Sequence, residues 1–134
     1  MATENFSVRT RNNVEFVDIT SDITEVLTGA GIQEGLCTVY CPHTTAGITI
    51  NEAADPSVVQ DIIKELNKII PFKDGYAHME GNSAAHIKSS IVGPSVTIPV
   101  ENGRLSLGTW QGIFFCEFDG PRSRRVIVSI VPGA

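Results

Sequence analysis

The 134-residue sequence has no apolar run of 18 or more residues, the length that a membrane-spanning helix needs. Residues 1–13 are too polar for a secretory signal peptide, so we expect a cytoplasmic protein without a membrane partner. An excess of basic residues is also missing, because 10 Lys and Arg face 15 Asp and Glu and give a net charge of −5. A chain of this charge is not expected to bind nucleic acid through long phosphate-backbone contacts.

Cysteine is scarce, with three residues in the chain. Cys37 and Cys41 fall on one predicted strand, where four residues span about 13 Å, which is more than a disulfide allows. Cys116 lies in an apolar, Phe-rich run, so we expect all three cysteines to be reduced and structural. The sequence also lacks a Cys-x-x-Cys pair, a Gly-rich phosphate loop and a reliable Ser-His-Asp order.

The pattern that is present predicts one domain, residues 1–134, with strands and short helices around one core. Asp55 is predicted to cap the clearest helix, with Pro56 in its first turn and Pro71 after its end. An earlier helix is expected to begin at a cap on Ser21 or Asp22. The predicted strands cover residues 5–11, 14–19, 36–41, 47–51, 96–100, 111–118 and 124–131.

Turn residues predict three hairpins. The first joins residues 5–11 to 14–19, the second turns at Asn102-Gly103, and the third joins residues 111–118 to 124–131. In the third, symmetric pairing would place Glu117 opposite Arg124 as a cross-strand ion pair. Glu117 needs such a partner, because an unpaired carboxylate buried in an apolar strand is costly.

The three histidines are candidate metal ligands. In one unbroken helix His78 and His86 would lie about 12 Å apart, too far to share an ion. Gly81-Asn82 can bend the chain, and Asn82 or Ser83 can then cap a new helix that carries His86 in its first turn. The alternative is a polar loop and a surface helix whose histidines never meet.

Candidate chemistry follows from the residue types. His43 is predicted on a loop between two strands, and three neutral imidazoles with one open position are the ligand set of a catalytic zinc. A nearby Glu52 or Glu80 would then act as general base or orient an imidazole. Glu52, Glu80 and Glu117 could instead hold magnesium, which prefers oxygen ligands.

Five blocks of the sequence resemble the signature blocks of the YjbQ-like family. They are HTTAG at 43–47, NE at 51–52, HMEGNSAAH at 78–86, GTWQ at 108–111 and EFDGPR at 117–122. The resemblance implies a small α+β domain built around a mostly antiparallel β-sandwich with two or three short helices. It also implies a homotrimer and a secondary thiamine-phosphate synthase activity.

That activity joins a pyrimidine pyrophosphate to a thiazole phosphate, so it needs counter-charge for phosphates and usually a divalent ion. We expect Glu52, Glu80 and Glu117 to be catalytic and a divalent metal, zinc before magnesium, to be held by the histidines. The expected substrate-binding residues are Asn51, Asn82, Lys88, Arg122 and Arg124. The open alternatives are a zinc-dependent hydrolase of a small substrate and a non-catalytic trimeric binding protein.

Overall fold

A computed structural model describes residues 1–133. Their helices and strands, in chain order, are β1 (Ala2–Arg9), β2 (Glu15–Asp18), α1 (Thr20–Ala30), β3 (Gly35–Tyr40), β4 (Ala46–Glu52), α2 (Pro56–Ile69), α3 (Ser83–Val92), β5 (Ser95–Glu101), β6 (Arg104–Leu105), β7 (Gln111–Glu117) and β8 (Ser123–Pro132). The α+β class predicted for the chain is therefore confirmed.

Two antiparallel sheets build the domain. One has five strands in the order β1-β8-β3-β5-β6, and the other has three in the order β2-β7-β4. The main core joins side chains from both sheets with Ile23 and Leu27 of α1. Along β8 the buried residues Val126, Val128 and Ile130 alternate with more exposed ones, as expected for a strand with one face toward a core.

Two of the three predicted hairpins are wrong. β1 pairs with β8 and β2 pairs with β7, so the first two strands belong to different sheets. β7 and β8 are likewise in different sheets. In the ladders Glu117 faces Glu15 and Ala46, whereas Arg124 faces Val8. The polar connections reverse the chain as predicted, but they carry it from one sheet to the other.

The turn at Asn102-Gly103 is confirmed as a hairpin between β5 and β6. Both residues have positive φ, +53° and +73°, which is the reason that Asn-Gly suits this turn. The cap of α2 is also confirmed, since Asp55 Oδ1 accepts the Ser57 N–H at 2.9 Å. The cap predicted for α1 is wrong: the helix begins at Thr20, so its N-cap is Ile19, which has no side chain able to cap it. The N–H of Thr20 is instead accepted by Asp18 Oδ1 at 2.9 Å.

The cysteines are free and buried, as predicted. Burial raises the pKa of the Cys37 thiol to about 11, so this sulfur stays protonated and unreactive at neutral pH. No helix within residues 1–133 is both long and apolar enough to cross a membrane.

Gly47 is required where α3 ends against β4. A Cβ on Gly47 would lie 2.7 Å from the Gly93 carbonyl oxygen and 3.1 Å from Val92 Cγ1. We expect Gly47→Ala to lower the free energy of unfolding by about 1–3 kcal/mol, because the backbone of Gly93 would have to move. Gly29→Ala in α1, where nothing lies within 4 Å, should raise it by about 0.5–1 kcal/mol. Urea denaturation of both variants checks this, and an unchanged Gly47→Ala midpoint would contradict it.

Candidate functional site

All three histidines line one cavity of about 510 Å³. The cavity opens where the loop after β3, the loop before α3 and the segment between β7 and β8 meet. Its lining residues are Pro42, His43, Thr44, Thr45, His78, Glu80, Asn82, His86, Asp119, Arg122 and Arg124. The alternative that the histidines never meet is therefore wrong.

The bend at Gly81 brings His78 and His86 together. Gly81 has a φ of +77°, and α3 begins two residues later, so that His86 lies in its first turn as predicted. The two ring centres are 5.5 Å apart, with the ring planes nearly perpendicular at 85°. The Glu80 side chain lies near the His78 ring, with Glu80 Oε2 3.9 Å from His78 Nε2.

Glu117 forms a buried ion pair with Arg124 beneath the cavity. Arg124 Nε donates to Glu117 Oε1 at 2.8 Å, and its Nη2 donates to Oε2. Thr10 donates to Oε1 at 2.7 Å and the Asp119 N–H donates to Oε2 at 3.0 Å. Burial would raise the pKa of Glu117, but these four hydrogen bonds and the guanidinium charge hold it below its usual value.

The role expected for Glu117 therefore changes. Each of its oxygens already accepts two hydrogen bonds, so neither offers a lone pair to a metal or a substrate proton. Arg124 also contacts the loop that carries His43, because its Nη2 donates to Thr45 Oγ1 at 2.9 Å. The predicted partnership of Glu117 and Arg124 exists, but it joins the two sheets and supports the floor of the cavity.

Asp119 fixes two other residues of the cavity. Its side-chain Oδ2 accepts from Arg122 Nη2 at 2.8 Å and from Asn82 Nδ2 at 2.9 Å, and its carbonyl oxygen accepts from Arg122 Nε at 2.8 Å. The Arg122 side chain is still 51% exposed, so its guanidinium is oriented but accessible. Within residues 1–133, Asn82 Oδ1 is buried without a hydrogen-bond partner. Such an orphaned acceptor calls for a donor or a cation from outside the chain.

His43 has a distinct environment. Its Nε2 accepts the backbone N–H of Arg125 at 2.9 Å. Burial and then the charge of Arg124 lower the pKa of His43, so the ring stays neutral at physiological pH. A neutral ring whose Nε2 accepts a hydrogen bond carries its proton on Nδ1.

Among residues 1–133 no three His, Cys, Asp or Glu side chains are arranged closely enough to form a metal-binding group.

Three predicted site residues lie away from the cavity. Asn51 and Glu52 are at the far end of β4, roughly 20 Å from its first residue at the strand rise of about 3.3 Å. There Asn51 Oδ1 accepts the Glu52 N–H and Glu52 Oε2 accepts the Ala54 N–H. Lys88 is fully buried, donates to Asn67 Oδ1 at 2.5 Å and lies 4.4 Å from the Phe72 ring centre. The geometry gives these residues local structural roles.

The sequence reading missed Asp119, Thr44 and Thr45 as individual site residues. The sequence Asp-Gly-Pro at 119–121 is typical of turns, so it predicts a turn role for Asp119 and not a place in the site. Both threonines stand directly after His43, and that proximity was the available signal.

Fold and cavity define a small α+β protein with a polar pocket lined by histidine and arginine. Residues 4–133 match the family model described as "UPF0047 protein YjbQ-like", and the chain belongs to this family. It is 51% identical over 125 residues to UPF0047 protein YugU of Bacillus subtilis, covering 92% of this chain and 95% of that one. A UPF0047 protein of Methanocaldococcus jannaschii is 52% identical over 126 residues, covering 94% and 91%.

A solved structure supports the fold independently. The crystal structure of an uncharacterised conserved protein of the YjbQ/UPF0047 family from Clostridium acetobutylicum has a TM-score of 0.94 and 52% sequence identity to this chain. The match covers 96% of this chain and 99% of that one. The likeness therefore extends over nearly the whole domain.

Proposed function

We propose that the cavity is the active site of a cytoplasmic enzyme that acts on a small phosphorylated substrate with a divalent metal. The reaction that fits the family resemblance is of the thiamine-phosphate synthase type, in which the methyl carbon attached to a pyrimidine loses pyrophosphate and bonds to a thiazole phosphate. The observation that carries the proposal is the convergence of His43, His78 and His86 with Arg122 on one cavity of about 510 Å³.

The spacing of the histidine pair is compatible with a shared metal ion. Two imidazoles bound to one tetrahedral zinc at 2.0–2.1 Å have ring centres roughly 5 Å apart. The 5.5 Å between the His78 and His86 ring centres is close to that separation. His78 and His86 would hold the metal. Glu80 is not close enough to complete a group of three with them, so its side chain would have to move to become an oxygen ligand, and the unsatisfied Asn82 Oδ1 belongs to a residue that lines the same cavity. Magnesium prefers oxygen ligands, and of the three glutamates predicted to hold it, Glu80 alone lines the cavity. Zinc is therefore favoured over magnesium.

The chain's own residues would supply binding and orientation. Arg122 is positioned by Asp119 and exposes its guanidinium, which suits a phosphate oxygen. Asn82 Oδ1 would accept a hydrogen bond from the substrate or contact the cation. When bound, the metal would offset negative charge that develops on the departing pyrophosphate. Arg124 contributes less net charge, because Glu117 neutralises it.

A pyrophosphate-release assay tests the proposal. Zinc-loaded protein should release pyrophosphate when both a pyrimidine pyrophosphate and a thiazole phosphate are present. Arg122→Gln should raise KM by about 10–100-fold, because the charged hydrogen bonds from the guanidinium to the substrate phosphate would be lost. Arg125→Gln is the matched control, since this exposed arginine does not line the cavity. No release from zinc-loaded or magnesium-loaded protein with both substrates would overturn the synthase proposal.

A zinc-dependent hydrolase is the second candidate, favoured by the same separation of His78 and His86. A zinc held by these imidazoles would lower the pKa of bound water, which would suit hydrolysis as well as transfer. Phosphate or pyrophosphate release from a single substrate, with no acceptor present, would favour this candidate. Release that requires the thiazole phosphate would favour the synthase.

The homotrimer implied by the family resemblance is also a proposal. It is supported by exposed apolar side chains: Trp110 is 64% exposed, and Leu36 and Val131, which face each other in the β3–β8 ladder, are 51% and 47% exposed. Exposed aromatic residues of this size are typical of interfaces. A trimeric binding protein without catalysis would use the same surfaces.

Trp110→Ala is expected to shift the trimer to smaller species in sedimentation velocity, because a large apolar contact would be lost. Ile69→Ala, at a residue of similar exposure (61%) at the end of α2, is the matched control and should leave the assembly unchanged. A Trp110→Ala protein that sediments like the wild type would place the interface elsewhere.

A further inference from the structure

We infer that His43 acts on the substrate as a neutral hydrogen-bond donor through Nδ1–H and is not a metal ligand. The inference rests on the proposed function, since it concerns the same cavity. It assigns the three histidines two different roles: His78 and His86 hold the metal, and His43 contacts the phosphate that carries the developing negative charge.

The end of a strand fixes His43. β3 stops at Tyr40, which faces Ile127 of β8. Two residues earlier along β8, Arg125 has Ser7 of β1 on one side but no β3 residue on the other. The Arg125 N–H donates instead to His43 Nε2 at 2.9 Å, so the imidazole takes the place of the missing strand partner.

The identity of that donor decides the tautomer. A backbone N–H can donate but cannot accept, so His43 Nε2 must be unprotonated and the neutral ring must carry its hydrogen on Nδ1. The Nε2 lone pair is then used by the Arg125 N–H, and Nδ1 has none to offer a metal. Among the hydrogen bonds of residues 1–133, no backbone N–H donates to a ring nitrogen of His78 or His86. Their lone pairs are not committed in this way.

The surroundings suit a neutral donor. His43 lines the cavity with Arg122 and Arg124, and it precedes Thr44 and Thr45, which also line it. Burial and then the nearby positive charge of Arg124 lower the pKa of His43 and disfavour an imidazolium, so the ring can polarise a phosphate oxygen as a neutral donor. A neutral imidazole N–H can act as an electrophile of this general kind, since neutral histidines are known to polarise substrate carbonyl oxygens. The role requires a hydrogen bond and no net proton transfer.

Imidazole ¹⁵N spectra of the full-length protein, with histidine labelled, test the inference directly. We expect His43 to show the Nδ1–H tautomer. Zinc should shift ring nitrogens of His78 and His86 but leave His43 Nε2 unchanged, whereas inorganic pyrophosphate should shift His43 Nδ1–H and slow its exchange with water. An Nε2–H tautomer, a zinc-induced shift of His43 Nε2, or no response of Nδ1–H to pyrophosphate would overturn the inference.

The same spectra separate this inference from the proposed function. If zinc shifts none of the histidines while pyrophosphate still shifts His43 Nδ1–H, the metal part of the proposed function fails and the donor role of His43 stands. If zinc shifts His43 together with His78 and His86, the metal site stands and the donor role fails.

Kinetics of two variants distinguish the donor role from a merely structural one. His43→Ala should lower kcat by about 10²-fold, the loss typical of one transition-state donor, with zinc content and KM nearly unchanged. His43→Gln can still accept the Arg125 N–H and should restore thermal stability. Its kcat should remain at least about 10-fold low, because the amide donor is not at the Nδ1 position. Full recovery of kcat in His43→Gln would assign His43 only to holding β8.

Discussion

Replacing Arg124 by leucine is expected to lower the free energy of unfolding by about 3–5 kcal/mol, the cost of breaking a buried pair from one side. The Glu117 carboxylate would stay buried with hydrogen bonds from Thr10 and Asp119 but with no counter-charge. Urea denaturation at neutral pH measures the loss. Arg125→Leu, one residue along β8 and exposed, should change stability by no more than about 0.5 kcal/mol.

The pH dependence of this loss is part of the same expectation. The folded-state pKa of Glu117 is lowered, so its contribution to stability is present above the ordinary glutamate pKa and disappears as the pH falls through the folded value. In Arg124→Leu the lone buried carboxylate would gain a proton more readily, and the difference from wild type should narrow in acid. A Glu117→Leu/Arg124→Leu double variant should recover part of the stability. An equal deficit at neutral and acidic pH would contradict the ion-pair explanation.

His86→Ala is expected to lower the zinc content well below that of the wild type and to reduce the rate of pyrophosphate release by at least about 10²-fold. Mutating a residue that only hydrogen-bonds to a metal ligand commonly lowers metal affinity or activity by about 10–100-fold, and His86 is proposed as a ligand itself. One imidazole of the His78–His86 pair would be gone, and no other residue on α3 lines the cavity. Ile91→Ala, an exposed position on the same helix, is the matched control for helix stability. Elemental analysis and the release assay check both effects. Full zinc content with full activity in His86→Ala would contradict the proposed site.

The parts of the site predicted from sequence depend on local chemistry. The bend at Gly81 is predictable because glycine adopts positive φ readily, and it places His86, in the first turn of α3, next to His78. The cap at Asp55 followed equally from neighbouring residues. Both features depend on the conformational preferences of neighbouring residues, so the amino-acid sequence is sufficient to predict them.

The parts that were mispredicted depend on contacts between distant segments. Turn residues after β1 and after β7 signal a change of direction, but they do not determine whether the next strand pairs in the same sheet. The choice depends on which apolar faces meet across the core. Glu117 and Arg124 therefore became a bridge between sheets instead of a cross-strand pair, and their burial was not visible from their spacing.

The length of β4 explains why the prediction that Glu52 belongs to the site is wrong. Glu52 belongs to the same short stretch of sequence as His43, yet β4 carries it away from the cavity toward α2. Lys88 is two residues from His86 on α3, and residues two apart on a helix do not share a face. Asp119, by contrast, reaches Asn82 across 37 residues of sequence through a single hydrogen bond.

The most direct test of the central claim is anomalous diffraction at the zinc edge from crystals grown with zinc. The account predicts a peak inside the cavity, about 2.0–2.1 Å from one ring nitrogen each of His78 and His86, with His43 Nε2 still bound to the Arg125 N–H. Zinc located only outside this cavity, or coordinated by His43 Nε2, would contradict it.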